Sequence, residues 1–249
     1  TEVGKILLKQ SASTVKKVSM ELGGHAPFIV FEDADIDEAV NGAIMSKFRN
    51  SGQTCICANR LFVHEKIYNI FLKKFVDQVS KIKVGNGLEN ATNSGPLIDQ
   101  YSLKKVIDHV QDAVNTGAKI AIGGDIHSLG GNFFQPTVLS NVNTKAKITH
   151  EETFGPVAPI YKFSSDEEVV KLANDTPFGL ASYFYARDIG RIWKVAESLE
   201  YGIVSVNTGL PTKAEIPFGG VKESGLGREG SKYGLDDYLE IKYISMAGI

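Results

Sequence analysis

Short runs of β-branched and aromatic residues alternate along the chain with stretches in which apolar residues recur every three to four positions. That is the pattern of an α/β protein whose sheet is covered by helices. Residues 1–10 read as a helix, 17–22 as a strand running into Gly23-Gly24, and 27–31 as an apolar strand. Asp33 or Asp35 then caps a helix whose face is Ile36, Ala39, Val40, Ala43, Ile44 and Phe48, and which breaks at Asn50-Ser51-Gly52. Residues 60–64 predict a strand, and 66–83 a long helix with Ile67, Ile70, Phe71, Phe75 and Val79 on one side. After a loop over 85–99 come a helix at 101–116 and strands at 118–122 and 134–139, with a turn-rich excursion over 123–131. Strands at 157–163, 181–185 and 202–206 alternate with helices at 165–173 and 189–198. The stretch 217–230 holds five glycines, too many for regular structure. A short helix near 231–239 and a strand at 241–246 finish the chain, the strand free to pair with a neighbouring subunit.

Composition narrows the classes of partner. Of 249 residues, 43% are apolar, enough for a sizeable core, and 27 basic against 29 acidic residues leave a formal charge of −2. A chain so nearly neutral has no electrostatic footprint for nucleic acid. No apolar run reaches the roughly 18–20 residues that span a bilayer, and no signal peptide is visible. Cys55 and Cys57 are the two cysteines; they cannot make a disulfide scaffold, and a reducing, cytoplasmic compartment is the default. His25, His64, His109, His127 and His150 are scattered, and a lone Cys-x-Cys lacks the second ligand pair of a structural zinc site, so no metal is expected.

Three segments could carry chemistry. Cys55 follows a helix end and a glycine turn, which puts it on a loop. There it is either a nucleophile awaiting conversion to thiolate or one more buried small hydrophobe. Cys57 leads into a strand and reads as core or as support for its neighbour. Glu21 ends an apolar strand before two glycines. Desolvation there raises a carboxyl pKa and suits a general base, although a surface glutamate at a strand end is the commoner case. Glu152 and Phe154 bracket an extended step beside Gly155-Pro156, where a carboxylate and a ring could hold ribose hydroxyls and flank a flat heterocycle, or could simply cap a turn. The glycine cluster lacks the order of a P-loop, and its Gly225-Leu226-Gly227-Arg228-Glu229-Gly230 run comes too near the end of the sequence to open a dinucleotide-binding βαβ unit.

Taken in order, Glu21-Leu22-Gly23-Gly24, Gly52-Gln53-Thr54-Cys55, Glu152-Thr153-Phe154-Gly155-Pro156, Asn174-Asp175-Thr176-Pro177-Phe178-Gly179 and Pro217-Phe218-Gly219-Gly220 closely resemble the second half of an NAD(P)-dependent aldehyde dehydrogenase. The resemblance covers essentially the whole chain. It implies a three-layer α/β catalytic domain at 24–228, a remnant of the cofactor domain at 1–23, and a returning tail with an oligomerisation strand at 229–249. It further implies that Cys55 is the nucleophile that forms a thiohemiacetal and then a thioester, with Glu21 the base for the hydrolytic water. Glu152, Phe154, Leu22 and Gly23 are implied to face the cofactor, NAD or NADP. The segments 47–57 and 219–233 are most similar to succinate-semialdehyde dehydrogenases. That likeness implies that Arg49, with Thr212 and Phe218, meets a carboxylated aldehyde, and that Cys57 is a candidate redox partner of Cys55. Pro211 and Lys213 depart from the pattern, which leaves another aldehyde open. The family's chains are about twice as long and form dimers or tetramers. This chain, opening at Thr1, is therefore expected to be a C-terminal portion, inactive or nearly so alone. Two competing readings are a cysteine hydrolase in which His64 activates Cys55 and a non-catalytic assembly module that uses the tail strand.

Overall fold

Adjacent residues of each central strand belong to two different cores. Phe28 and Val30 pack on one side of the sheet while Ile29 and Phe31 pack on the other, and Leu61 and Val63 are split in the same way from Phe62. Strands buried on both faces need a helical layer on each, and the chain supplies them. In the computed structural model, which describes residues 1–248, the elements run α1 (Glu2–Ser11), β1 (Met20–Glu21), β2 (Ala26–Val30), α2 (Ile36–Phe48), β3 (Ala58–His64) and α3 (Tyr68–Val79). Next come α4 (Gln100–Asn115), β4 (Lys119–Ile122), β5 (Thr137–Ser140), α5 (Lys147–His150), β6 (Val157–Phe163) and α6 (Asp166–Asn174). The remainder are β7 (Phe178–Gly179), β8 (Ala181–Tyr185), α7 (Ile189–Ser198), β9 (Ile203–Val206), β10 (Val221–Lys222) and β11 (Gly225–Leu226).

The main sheet has seven strands in the order β4-β5-β6-β3-β2-β8-β9; only the edge pair β4–β5 is antiparallel. Helices α2 and α3 cover one face through Val40, Phe48, Phe71, Phe75 and Val79. Helices α4, α6 and α7 cover the other through Val106, Val110, Val169 and Val195. The result is the expected three-layer α/β arrangement. Asp35, not Asp33, caps α2, its side chain accepting from the N–H groups of Asp37 and Glu38 at 3.2 Å each.

Some expected boundaries move for identifiable reasons. The strand expected over 17–22 shrinks to Met20–Glu21, because β1 pairs only with the two residues of β11. Helix α3 starts at Tyr68, so its buried line is Tyr68, Phe71, Phe75 and Val79 and Ile70 faces solvent. The strand expected over 134–139 begins only at Thr137, since Pro136 has no N–H to give a ladder. The glycine-rich stretch is more ordered than expected: β10 and β11 lie within it, paired with β7 and β1. The tail differs most. A 3-10 turn covers Tyr233–Tyr238, but the strand expected at 241–246 is absent; Ile241 is fully exposed, and Tyr243, Ile244 and Met246 are also exposed. A strand exists only against a partner, and this segment meets none among the described residues.

Candidate active site

Three connecting segments deliver the candidate residues to the same edge of the sheet. Gly24 precedes β2, Cys55 precedes β3 and Glu152 precedes β6, so all three enter at the amino ends of neighbouring parallel strands. Open parallel sheets more often bind ligands at their carboxyl ends. This edge would therefore not have been chosen from topology alone.

The Cys55 loop is shaped by its backbone. Asn50, Ser51 and Gly52 take consecutive left-handed conformations (φ 51°, 57° and 75°), which turn the chain sharply out of α2. Left-handed Asn and Ser are tolerated only where surrounding contacts enforce them. Those contacts come from residues 94–98, within the stretch expected to be a loop. Ser51 Oγ lies 2.9 Å from Ser94 Oγ and donates to the Gly95 carbonyl, Gln53 Oε1 accepts from the Ile98 N–H at 2.9 Å, and Gln53 Nε2 donates to the Pro96 carbonyl. From the other side Tyr183 OH donates to the Ile56 carbonyl at 2.7 Å. Gly24 packs so closely that a Cβ there would collide with the Cys55 carbonyl oxygen.

Cys55 itself is half-buried and opens onto a cavity of about 540 Å³ that is also lined by Glu21, Leu22, Gly23, Glu152 and Phe154, with α1 contributing Val3, Gly4 and Leu7. Six of the residues singled out from the sequence thus share one wall. The volume is typical of a small-molecule site. Burial, and the neighbouring Glu21 and Glu152 carboxylates, push the Cys55 thiol above its ordinary value, partly offset by the N–H groups of Cys55 and Ile56. At neutral pH the sulfur is therefore a thiol that needs a base.

Glu21 answers that description. Neither carboxylate oxygen has a hydrogen-bond partner among the described residues, although both are shielded from solvent. Desolvation, reinforced by Glu229 and opposed by Arg228, raises its pKa to about 7. Its position is fixed from behind by the glycine-rich stretch: Glu21 pairs with Gly225, the Leu22 N–H donates to the Ser224 carbonyl, and Ser224 Oγ donates to the Gly23 carbonyl at 2.6 Å. That stretch is thus the wall that holds the carboxylate, a role its composition alone did not disclose.

Glu152 hangs between α5 and β6. Its Oε1 accepts from the Gly24 N–H at 3.1 Å, and a Cβ on Gly23 would press against Oε2. Phe154 has φ 54°, an unusual conformation for an aromatic residue, and stays 37% exposed on the cavity. A carboxylate with one oxygen uncommitted, a partly exposed ring and the bare backbone at Gly23 together fit the ribose and flat ring of a nicotinamide nucleotide.

The remaining candidates lie elsewhere. Arg49 is exposed and lines a separate groove of about 350 Å³ with Phe48, Lys81, Ile82 and Leu210. Thr212 is exposed and lines neither the cavity nor the groove, and Phe218 is half-buried, packed with Cys55 against the core beneath α2 and α3. Cys57 is fully buried, with Lys47 Nζ donating to its sulfur at 3.3 Å and its thiol donating to the Lys47 carbonyl; both cysteines are free thiols. His64 ends β3, a strand length of ~20 Å from the Cys55 loop, and binds Glu32 at 2.9 Å, so it cannot activate that thiol. Among the described residues no cluster of three His, Cys, Asp or Glu could hold a metal ion, and no helix is long and apolar enough to cross a membrane.

A half-buried thiol, a carboxyl of raised pKa without a hydrogen-bond partner among the described residues, and a second carboxylate beside a partly exposed ring thus share one cavity on a three-layer α/β scaffold. The aldehyde dehydrogenase family profile matches residues 1–244, and the chain belongs to that family. It is 59% identical over its whole length to the 3-sulfolactaldehyde dehydrogenase of Pseudomonas putida, covering 51% of that protein. It is 57% identical over 98% of its length to the NADP(+) succinate-semialdehyde dehydrogenase of Escherichia coli, again covering 51% of the relative. A crystal structure of succinate-semialdehyde dehydrogenase from Burkholderia pseudomallei superposes with a TM-score of 0.97 at 59% identity, over 98% of this chain and 50% of the other. The chain therefore spans about half the length of the curated relatives it matches.

Proposed function

We propose that this chain is the thiol-bearing part of an NAD(P)-dependent dehydrogenase that oxidises a small anionic aldehyde, succinic semialdehyde first among them, to the acid. The observation that carries the proposal is the convergence of Cys55, Glu21, Glu152 and Phe154 on one cavity. Cys55 gives its proton to Glu21, which passes it to solvent, and the sulfur adds to the aldehyde carbon with the Cys55 N–H available to the developing oxyanion. When bound, NAD or NADP supplies the acceptor for the hydride that leaves this carbon. Cys55 then holds the acyl group as a thioester. Glu21 takes a proton from the water that attacks it, and the thiol is expelled as the acid departs. A pKa of about 7 lets Glu21 serve in either protonation state near neutrality. Glu152 holds the nucleotide through ribose hydroxyls, Phe154 flanks the ring, and Leu22 and Gly23 form the floor beneath it.

Arg49, Thr212 and Phe218 are assigned to the substrate side. Relatives at 56–59% identity are named for 3-sulfolactaldehyde, glutarate semialdehyde and succinate semialdehyde, aldehydes that share an anionic group. A planar guanidinium grips such a group bidentately. Residues 1–23 belong to the cofactor domain, 24–228 to the catalytic domain, and 229–249 to a tail that pairs with another subunit of a dimer or tetramer. The two free thiols fit a reducing, cytoplasmic setting, and Cys57 is the candidate partner for reversible oxidation of Cys55.

The test is turnover of succinic semialdehyde with NAD and with NADP by the full-length protein that carries these residues. Activity that vanishes in Cys55→Ala supports the proposal; undiminished turnover in that variant overturns it. The 249-residue chain alone is expected to be without turnover.

A further inference from the structure

Helix α4 faces the Glu152 segment with two polar side chains one turn apart, and together they touch three consecutive residues. Lys105 Nζ donates to the Glu152 carbonyl at 2.5 Å. His109, 1% exposed, lies with Nε2 3.1 Å from Glu151 Oε2 and Nδ1 3.2 Å from Thr153 Oγ1. A carboxylate only accepts, so Nε2 carries the proton and donates to Glu151. Nδ1 is left to accept from the Thr153 hydroxyl, which is buried with that side chain. Both imidazole nitrogens are thus used, and the residues on either side of Glu152 are tied to one ring. Between them, Glu152 turns its carboxylate the other way, to the Gly24 N–H. The next residue, Phe154, keeps its left-handed backbone, which persists only where its surroundings over-determine it.

We infer that His109 is a positioning residue for cofactor binding: by clamping Glu151 and Thr153 it sets how far Glu152 reaches into the cavity and how Phe154 is presented. The inference rests on the reading of that cavity as the nicotinamide site. Replacing the imidazole with an apolar ring would leave a buried hydroxyl without its acceptor and free Glu151 to swing outward. Such a loss of preorganisation falls on affinity and not on the reacting atoms.

The test is direct titration of the full-length protein with NADH and NADPH, beside steady-state kinetics and amide hydrogen exchange of the cofactor-free protein. His109→Phe is expected to weaken binding of the reduced cofactor about tenfold, with the KM for NAD(P) rising in step and kcat staying within about twofold. Exchange should quicken at residues 151–155 and stay unchanged in β2 and β3. His109→Gln, which keeps an N–H donor towards Glu151, should recover most of the affinity. Thr153→Val should weaken binding about fivefold, and joining it to His109→Phe should add little, because both remove the same clamp. If His109→Phe does not fold, Thr153→Val and His109→Gln still decide the matter. Variants that melt earlier yet bind cofactor as the unmodified protein does would reduce His109 to a core residue and overturn the inference. An unmodified protein that binds neither cofactor overturns the nicotinamide site itself, and this inference with it.

Discussion

Two polar clusters sit near the amino ends of the central strands, and they are built on opposite terms. Around Arg60 each nitrogen of the guanidinium has an acceptor: Nε and Nη2 donate to the His25 carbonyl, Nη1 to that of Leu172, and Nη2 also to the Ala173 carbonyl and Tyr201 OH. Arg60 is almost wholly buried, and it ties β3 to the residue just before β2, to α6 and to the loop before β9. Glu21, four residues before His25 in the chain, has both oxygens shielded and neither with a partner among the described residues. A satisfied cluster holds a fold together, whereas an unsatisfied carboxyl is a standing cost unless something else needs its proton affinity. On the proposed function the first is scaffold and the second takes part in the chemistry.

That contrast breaks if substitutions in the two clusters do the same thing. Cys55→Ala should remove turnover by ~10⁴-fold or more while leaving the melting temperature nearly unchanged, measured by initial rates and calorimetry. Arg60→Met should do the reverse. The His25 and Leu172 carbonyls and Tyr201 OH lose the guanidinium, the Ala173 carbonyl keeps only the Tyr201 hydroxyl, and chemical denaturation should register a loss of about 3–5 kcal/mol. Arg49→Ala sharpens the picture at the groove, with KM for succinic semialdehyde raised about tenfold and KM for an uncharged aldehyde of similar size unmoved.

The smallest effect is on stability. Glu21 has its pKa raised in the folded protein, so it favours folding below about pH 4.5 and loses that contribution as pH climbs through about 7. Glu21→Gln should therefore be more stable than the unmodified protein at pH 8, by ~1 kcal/mol once solvent screening is allowed for, and no more stable at pH 4. The same substitution should abolish the rise in thioester hydrolysis through pH 7.

Much of this was legible in the sequence, and for physical reasons. Helices α2, α4, α6 and α7 announce themselves by caps and a 3.6-residue period, and β6, β8 and α7 begin and end at the expected residues. The motifs around Glu21, Cys55 and Glu152 are local in sequence, so each could be read, and the order in which they occur tied them to one family. Their supports are not local. The loop 94–98 that pins Gln53, the Ser224 hydroxyl behind Glu21 and the His109 clamp on Thr153 act across separations of 45, 201 and 44 residues. Nothing in their own neighbourhoods marks them. The strand expected in the tail is missing for a related reason: a strand needs a pairing partner, and none of the strands among the described residues lies against 241–246.

The most direct test of the account is to trap the acyl group. Full-length protein carrying Glu21→Gln, mixed with succinic semialdehyde and NADP and quenched in acid, should show a succinyl mass on the peptide containing Cys55. A single turnover of reduced cofactor should accompany it, with little acid released. An adduct on Cys57, or continued release of acid with no adduct at all, would contradict the division of labour between sulfur and carboxylate on which the account stands.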